Sequence, residues 1–477
     1  MTLKSTNKIL LLFLVSFCCL SISAQITNKY TYGDYEFEEI KTVFPSSTVV
    51  QGFVNGVALA RDKDANSYLV DTLGNKISSE GFRSLNFENR GDFFVVANKQ
   101  GRKGVINSKG KLVVPYLYRN IITTTWKIEG TQVFQYGLCM VEDSTKRIGF
   151  VNTNGKVIIP IVYSNKCNLQ WSEGCHVVSL NGLQGVIDTL GEVVIPFQYK
   201  RITPMNFGQV LAMNTNDEVL LISRLGVVKK LPYTDFHDIY SDFGGFIDGL
   251  AGVKNRLGLW GFINNLGEEV IKCQFDAVYD FSEGIAIVGK DIKIGNYNRN
   301  WGCVNLTGKL ITPIKYQQID KFEDGIALVR QFDSRENMLF YNYIDTSGKE
   351  INDQKYRGAY RMKYEAARVR NNSWYIDLKQ NKDQKRDFCT LEGRDVILKS
   401  TGKEIDINQN YCINSLWFSD GFLTISDRDG KDGFIDTNGN VVVPCFYKNA
   451  YEFNNNYAWV EKYDDTSWYI LKKKKIK

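Results

Sequence analysis

In eight copies of one recurring phrase an Asp or Asn stands three positions ahead of a glycine: Asp71 and Gly74, Asn107 and Gly110, Asn152 and Gly155, Asp188 and Gly191, Asn264 and Gly267, Asn305 and Gly308, Asp345 and Gly348, Asp436 and Gly439. Recurring side-chain oxygens could ligate calcium, which takes about six to eight oxygens, several of them charged. Here half of the eight are Asn, and each copy offers one acidic group. The same spacing has a simpler use. Asp or Asn at the first position of a type I turn accepts backbone N–H groups ahead of it, and glycine at the fourth takes the positive φ that closes a hairpin with a bulge. We read these sixteen residues as structural turn residues and expect no metal.

Other chemistry is sparse. The two histidines are His176 and His237, and no C-x-x-C or H-x-x-H pair exists to gather a metal. Cys175 and His176 are adjacent, so on a strand they point to opposite faces and make a poor nucleophile and base pair. After residue 24 the cysteines are 139, 167, 175, 273, 303, 389, 412 and 445. Cys175, Cys139 and Cys303 align with Ile285, Ala286 and Phe262, apolar slots where a thiol serves as a small hydrophobe. Disulfides between neighbouring copies are the alternative. Hydrolase, NTPase and dinucleotide motifs are absent. A glycosidase needs only two facing carboxylates, and nothing singles out a pair among 53 acidic residues. No catalytic residue and no cofactor are expected.

The elements that must hold the turns follow from self-similarity. The phrase "GVINSKGKLVVP" (104–115) returns as "GFVNTNGKVIIP" (149–160), "GVIDTLGEVVIP" (185–196) and "GFIDTNGNVVVP" (433–444). Adding degraded copies at Gly226 and Gly402, the turn glycine recurs ten times at a mean interval of about 41 residues. Strand-forming residues flank each turn, as in Phe262, Ile263 and Val441 to Val443. Pro115, Pro160, Pro196, Pro313 and Pro444 follow five residues after their glycines; lacking an N–H, each should end a strand or mark an unpaired edge. "DFSEGIAIVGK" (280–290) and "KFEDGIALVRQ" (321–331) read as a turn into a third strand, with Phe281 and Phe322 as inter-repeat core. Each unit of three short strands is too small to bury its own apolar face and must be stacked on its neighbours.

Lys4 and Lys8, the apolar run Ile9 to Leu20, and Ser21, Ser23 and Ala24 have the order of a secretory signal peptide cleaved after Ala24. Lipidation at Cys18 or Cys19 is disfavoured by Phe17, where a small residue is expected. No later stretch reaches about eighteen apolar residues, so no membrane span is expected. Without the two signal lysines the chain has 57 basic and 53 acidic residues; five of the basic ones lie in "KKKKIK" (472–477), which leaves a body of 52 against 53. That balance argues against a nucleic-acid partner, and the tail reads as a frayed, solvated end. The expected organisation is a signal peptide over 1–24, an N-terminal lead-in or capping segment over 25–66, a repeat array over 67–470 with an inserted loop near 378–390, and a basic C-terminal tail over 471–477.

"LWGFINNLGEEVIKCQFDAVYDFSEGIAIV" (259–288) and "WGCVNLTGKLITPIKYQQIDKFEDGIALV" (301–329) resemble WG repeats, named for the pair seen here as Trp260-Gly261 and Trp301-Gly302. Other copies keep the glycine and replace the tryptophan by Lys103, Ile148, Gln184 or Asp432. The resemblance runs from about Tyr68 to Tyr447 and implies a bacterial, often exported, β-rich repeat protein with no catalytic residues to carry over. The expected fold is all-β: a tandem array of about ten three-stranded β-hairpin repeats, β-solenoid-like or a superhelical stack, with a β-propeller as the alternative because ten copies exceed the usual number of blades. The expected function is an exported, non-enzymatic binding or scaffolding surface for a protein partner, in the periplasm, on the outer surface or secreted. A cell-envelope glycan or peptidoglycan binder is the runner-up, and an unrecognised polysaccharide hydrolase the third reading. Loop aromatics such as Tyr297 and Trp374 are the candidate contacts for a sugar or peptide.

Overall fold

A computed structural model describes residues 26–476, apart from 33, 46–47, 79–80, 87–91, 127–129, 165–170, 238–243, 295–296, 361, 363–365, 371–394, 402 and 408–410. The expected signal peptide (1–24), the loop near 378–390, Gly402, Trp374, Cys167, Cys389 and the side chain of Tyr297 lie outside the described residues. All regular structure among the described residues is β; none of it is helical.

One repeat shows how the sequence makes a unit. Strands Leu250–Lys254, Trp260–Asn264 and Glu269–Phe275 pair antiparallel in chain order, and a short leading strand, Asp235–Phe236, adds a fourth. Three main strands per unit are present, with this extra edge in most units, but they are grouped differently from the expectation: the strand read as the third of a copy, Ile285–Ile294, pairs with Tyr297–Asn305 and so opens the next sheet. The register explains the invariant glycine of the Trp-Gly pair. Trp260 faces Phe275 while Phe262 faces Ile271, so the outer strand carries two extra residues opposite Gly261. The same bulge lies opposite Gly149 (Ile148 with Tyr163, Phe150 with Ile159) and Gly302 (Trp301 with Tyr316, Cys303 with Thr312). A Cβ at Gly149 would sit 2.7 Å from the Ile159 and Pro160 carbonyl oxygens, so no larger residue fits.

This register decides between the two readings of the prolines. Pro115, Pro160, Pro196, Pro313 and Pro444 lie inside strands, within the bulged stretch, rather than at strand ends, and Pro115, Pro313 and Pro444 stand in the outermost strand of their sheets, the expected edge. A bulge leaves residues unpaired, so the missing N–H is tolerated there.

Consecutive sheets pack face to face, and each pair encloses its own apolar cluster. Phe262, Ile271 and Phe275 of one unit meet Val278, Phe281, Ala286 and Val304 of the next; Cys303 and Tyr316 then meet Phe322, Val329 and Ile344. Eleven such clusters follow one another along the chain. The last two join the chain's ends. Phe434 and Tyr447 pack on Phe37, Val460 and Leu471, while Ile40, Phe44, Trp459 and Trp468 pack on Phe53, Ala58 and Val70 of the first repeat. Between them a composite sheet pairs Tyr35–Pro45 with Ser467–Lys475, in continuous register from Tyr35 opposite Lys475 to Lys41 opposite Tyr469 and, after a shift, with Pro45 opposite Ser467. The units therefore form a closed circuit, the propeller-like alternative to an open stack, with the ends sealed by the pairing of the first and last strands.

Closure reassigns both ends. Residues 25–66 do not merely cap the array: they supply two strands to the closing sheet and the first strands of the first repeat. Lys472 to Lys475, expected to fray, lie in the final strand. Lys472 pairs with Glu38 at 3.2 Å. Lys473 is buried against the Phe422 ring, 4.2 Å from its centroid, and burial pulls its ammonium down to about 8.

Candidate interaction rim

All eight Asp and Asn turn residues work in the same way. The Asp188 Oδ1 accepts the Leu190 and Glu192 N–H groups, each at 2.9 Å, and the Asn264 Oδ1 accepts those of Leu266 and Glu268 at 3.0 Å. Asp71, Asn107, Asn152, Asn305, Asp345 and Asp436 do the same for the residues two and four ahead. Their glycines, Gly74, Gly110, Gly155, Gly191, Gly267, Gly308, Gly348 and Gly439, all have positive φ. These oxygens are spent on the backbone, and among the described residues no three His, Cys, Asp or Glu side chains gather as a metal site.

A second hairpin at the opposite end of the unit repeats the device, and sequence reading missed it. Asp62, Asp143, Asn214, Asn255 and Asp427 cap it likewise, but the fourth residue is Ala65, Lys146 or Asp217 as readily as Gly258 or Gly430. Without a constant glycine the pattern hides in the sequence.

The turn that leads into the first main strand of each unit links neighbours. Glu283 and Gly284 both have positive φ, as do Glu173 with Gly174 and Asp324 with Gly325. The Glu283 carboxylate accepts the Asp324 and Gly325 N–H groups of the next unit, each at 2.9 Å. Glu173 accepts those of Phe207 and Gly208 at 2.6 and 2.9 Å, and Asp248 accepts that of Gly284 at 2.9 Å. Ser282 donates to the Phe322 carbonyl at 3.1 Å beside this clasp. The motif Ser-Glu-Gly is thus an intermolecular-style contact made within one chain, between successive repeats.

Both kinds of turn share one rim, because Ile285, directly after Gly284, pairs with Asn305 at the head of its hairpin, and Cys175 pairs with Asp188. Four consecutive units place an aliphatic residue at the hairpin tip: Leu190, Leu225, Leu266 and Leu306, exposed by 72, 92, 60 and 39%. Val193, Val227, Val228, Val270 and Leu310 continue the stripe onto the outer strands. The tips lie over the preceding unit, since a Cβ on Gly267 would meet Leu231 at 2.9 Å and one on Gly308 would meet Ile271 at 3.2 Å. Lys229 donates to the Leu266 carbonyl at 2.8 Å, which joins one tip to the strand before it. The other described tips, apart from Leu73, are polar, as at Lys109, Asn154, Ser347 and Asn438. The signal was present as Leu directly before Gly191, Gly226 and Gly267 and two residues before Gly308, yet a leucine in a β-rich sequence reads as core.

A cavity of about 340 Å³ lies elsewhere, against the longer hairpin of strands Ile326–Asp333 and Met338–Asp345. Phe332, Phe340 and Tyr341 wall it beside Gln331, Asp333 and Glu350. Glu350 accepts Tyr316 Oη at 3.1 Å and Asn342 Nδ2 at 3.1 Å, and Lys355 bonds to Asp333 at 2.5 Å and holds that carboxyl below its usual range. A general acid for glycoside cleavage needs the opposite shift.

The thiols of Cys139, Cys175, Cys273, Cys303 and Cys445 are free, and the first four are buried. Burial raises Cys273 to about 11 and Cys303 to about 12, which suits packing and not nucleophilic attack. His176 is edge-on to Phe150 and Trp171, with ring centroids 5.0 and 4.9 Å away, and burial lowers it to about 4. His237 lies apart from it, its Nδ1 2.8 Å from Asp280 of the next unit.

The family described as WG containing repeat matches residues 148–183, 185–213, 260–293, 301–331 and 433–464. The chain is a WG repeat-containing protein. The matched segments of this WG repeat protein coincide with units whose hairpins and bulges are given above. No curated protein matches it in sequence. Among solved structures it is similar to the crystal structure of the eukaryotic initiation factor, at 11% identity and a TM-score of 0.42 over 73% of this chain and 94% of that one. It is also similar to BamB from Moraxella catarrhalis, at 9% identity and a TM-score of 0.29 over 93% and 100%. No argument rests on either likeness. No helix of the described residues is long and apolar enough to cross a membrane.

Proposed function

We propose that this WG repeat protein is an exported, non-enzymatic scaffold that holds a protein partner on the rim carrying Leu190, Leu225, Leu266 and Leu306. The observation that supports this reading is the exposure of those four leucines on consecutive units, with valines beside them. Aliphatic side chains exposed along one rim cost free energy in water, and soluble proteins keep apolar patches small unless a partner covers them. The row is aliphatic. Sugars stack their C–H faces on rows of aromatic rings, and the four tips are leucines; Phe207, exposed by 53% in the turn beside Leu225, adds a single ring. The cavity walled by Phe332 and Phe340 favours the runner-up, an envelope glycan.

The test is recovery of partners from the native envelope fraction on immobilised wild-type chain and on Leu225→Ser/Leu266→Ser, with assays of the pure protein on polysaccharides alongside. The expected result is a defined protein retained by the wild type and lost on the variant. Cleavage of a polysaccharide with no protein recovered would overturn the reading.

A further inference from the structure

Resting on that reading, we infer that the segment docking on the leucine rim is basic as well as aliphatic: its lysine or arginine side chains flank the residues that cover Leu225 and Leu266. The two turn types bring exposed carboxylates to the edge of the same stripe. Glu173, Glu192, Asp248, Glu268, Glu269 and Glu283 are exposed there, against the exposed cations Arg224, Lys229 and Lys309. Two of those cations are already engaged, Arg224 with the Glu173 carbonyl at 3.0 Å and Lys229 with the Leu266 carbonyl. The rim is therefore net negative on a body whose charges otherwise balance.

The carboxylates lie close to the apolar tips. Arg224, next to Leu225, donates its backbone N–H to the Gly208 carbonyl at 2.9 Å, and Gly208 in turn donates to Glu173. Leu306 sits beside the Glu283 turn, its Cδ1 3.8 Å from where a Gly284 Cβ would stand. Glu173, Asp248 and Glu283 each accept turn N–H groups of a neighbouring unit, and all three stand at positive φ, which fixes their turns. Fixed charges beside an apolar strip steer a partner of opposite sign and reject one of the same sign.

The test uses the full chain and three labelled short peptides, alternating leucine with lysine, leucine with glutamate, and serine with lysine, read by fluorescence anisotropy. Only the leucine and lysine peptide should bind. Its affinity should fall about tenfold between roughly 0.05 and 0.3 M salt, and by a similar factor in Glu192→Gln/Glu268→Gln/Glu269→Gln, whose side chains cap no turn of the next unit. Leu225→Ser/Leu266→Ser should abolish it. Equal binding of the glutamate peptide, or an unchanged affinity in the glutamine variant, overturns the basic chemistry while leaving the leucine rim as the docking surface. Loss of neither on Leu225→Ser/Leu266→Ser, or no binding of any peptide, sinks the rim itself.

Discussion

Glu39, wholly buried, accepts the phenol O–H of Tyr447 at 2.5 Å and the Lys462 ammonium at 2.5 Å, so a carboxylate of the second strand is charge-paired by Lys462 and hydrogen-bonded by Tyr447 from the last units. Tyr30 Oη adds a third oxygen, 2.8 Å from Tyr447 Oη. Removing one partner of a buried charge strands the other. Lys462→Met should destabilise the protein by about 3 kcal/mol, and Glu39→Gln together with Lys462→Met by less than the sum. Urea unfolding of the single and double variants checks this; additive losses would show that the two groups do not share the seam.

Two kinds of glycine should respond differently to alanine. Gly267→Ala meets a positive φ and a close Leu231 methyl, an expected loss of about 1 to 2 kcal/mol. Gly149 needs no positive φ, and its loss is steric, against the bulged backbone of Ile159 and Pro160, at about 2 kcal/mol. Replacing each by D-alanine through semisynthesis separates them, because only the Gly267 site should recover. Recovery at both, or at neither, would contradict the assigned register.

His176 gives the pH dependence a sign. Its folded value, about 4, lies below the ordinary 6.5, so the unfolded chain binds the extra proton between those limits. Stability is fully present above about 6.5 and falls as pH drops toward 4, by up to about 3 kcal/mol from this group. His176→Phe should flatten the wild-type slope in that window. An unchanged slope by thermal denaturation would contradict the burial.

The clasp between units predicts cooperativity. Glu283→Gln weakens two charge-assisted bonds to Asp324 and Gly325, an expected cost of about 1 kcal/mol. Amide exchange should quicken at both Asp324 and Ile285, in adjacent units, and quickening at only one would argue against coupling.

How much could be read in advance follows from where the constraint lies. The Asp71 to Gly74 pattern, Phe281 as inter-repeat core and the all-β array were legible because turn chemistry and alternation are local. The prolines marked the outer strand but misled as strand ends, because a bulge is set by pairing, with the outer strand two residues longer opposite Gly149 or Gly302, and sequence shows one strand at a time. Closure was hidden because Tyr35–Pro45 carries no copy of the repeated phrase and pairs across more than four hundred residues with a lysine run that looked solvated. The rim was hidden because Leu225 and a core leucine are the same letter.

Closure of the circuit is the claim on which the rest depends, and cross-linking of the paired ends tests it. Glu38 and Lys472 face each other across the seam. In Glu38→Cys/Lys472→Cys, mild oxidation of the native protein should form an intramolecular disulfide nearly completely and raise the melting temperature. An open array would leave those thiols at opposite ends, unlinked until the chain unfolds, and that result would contradict the closed ring.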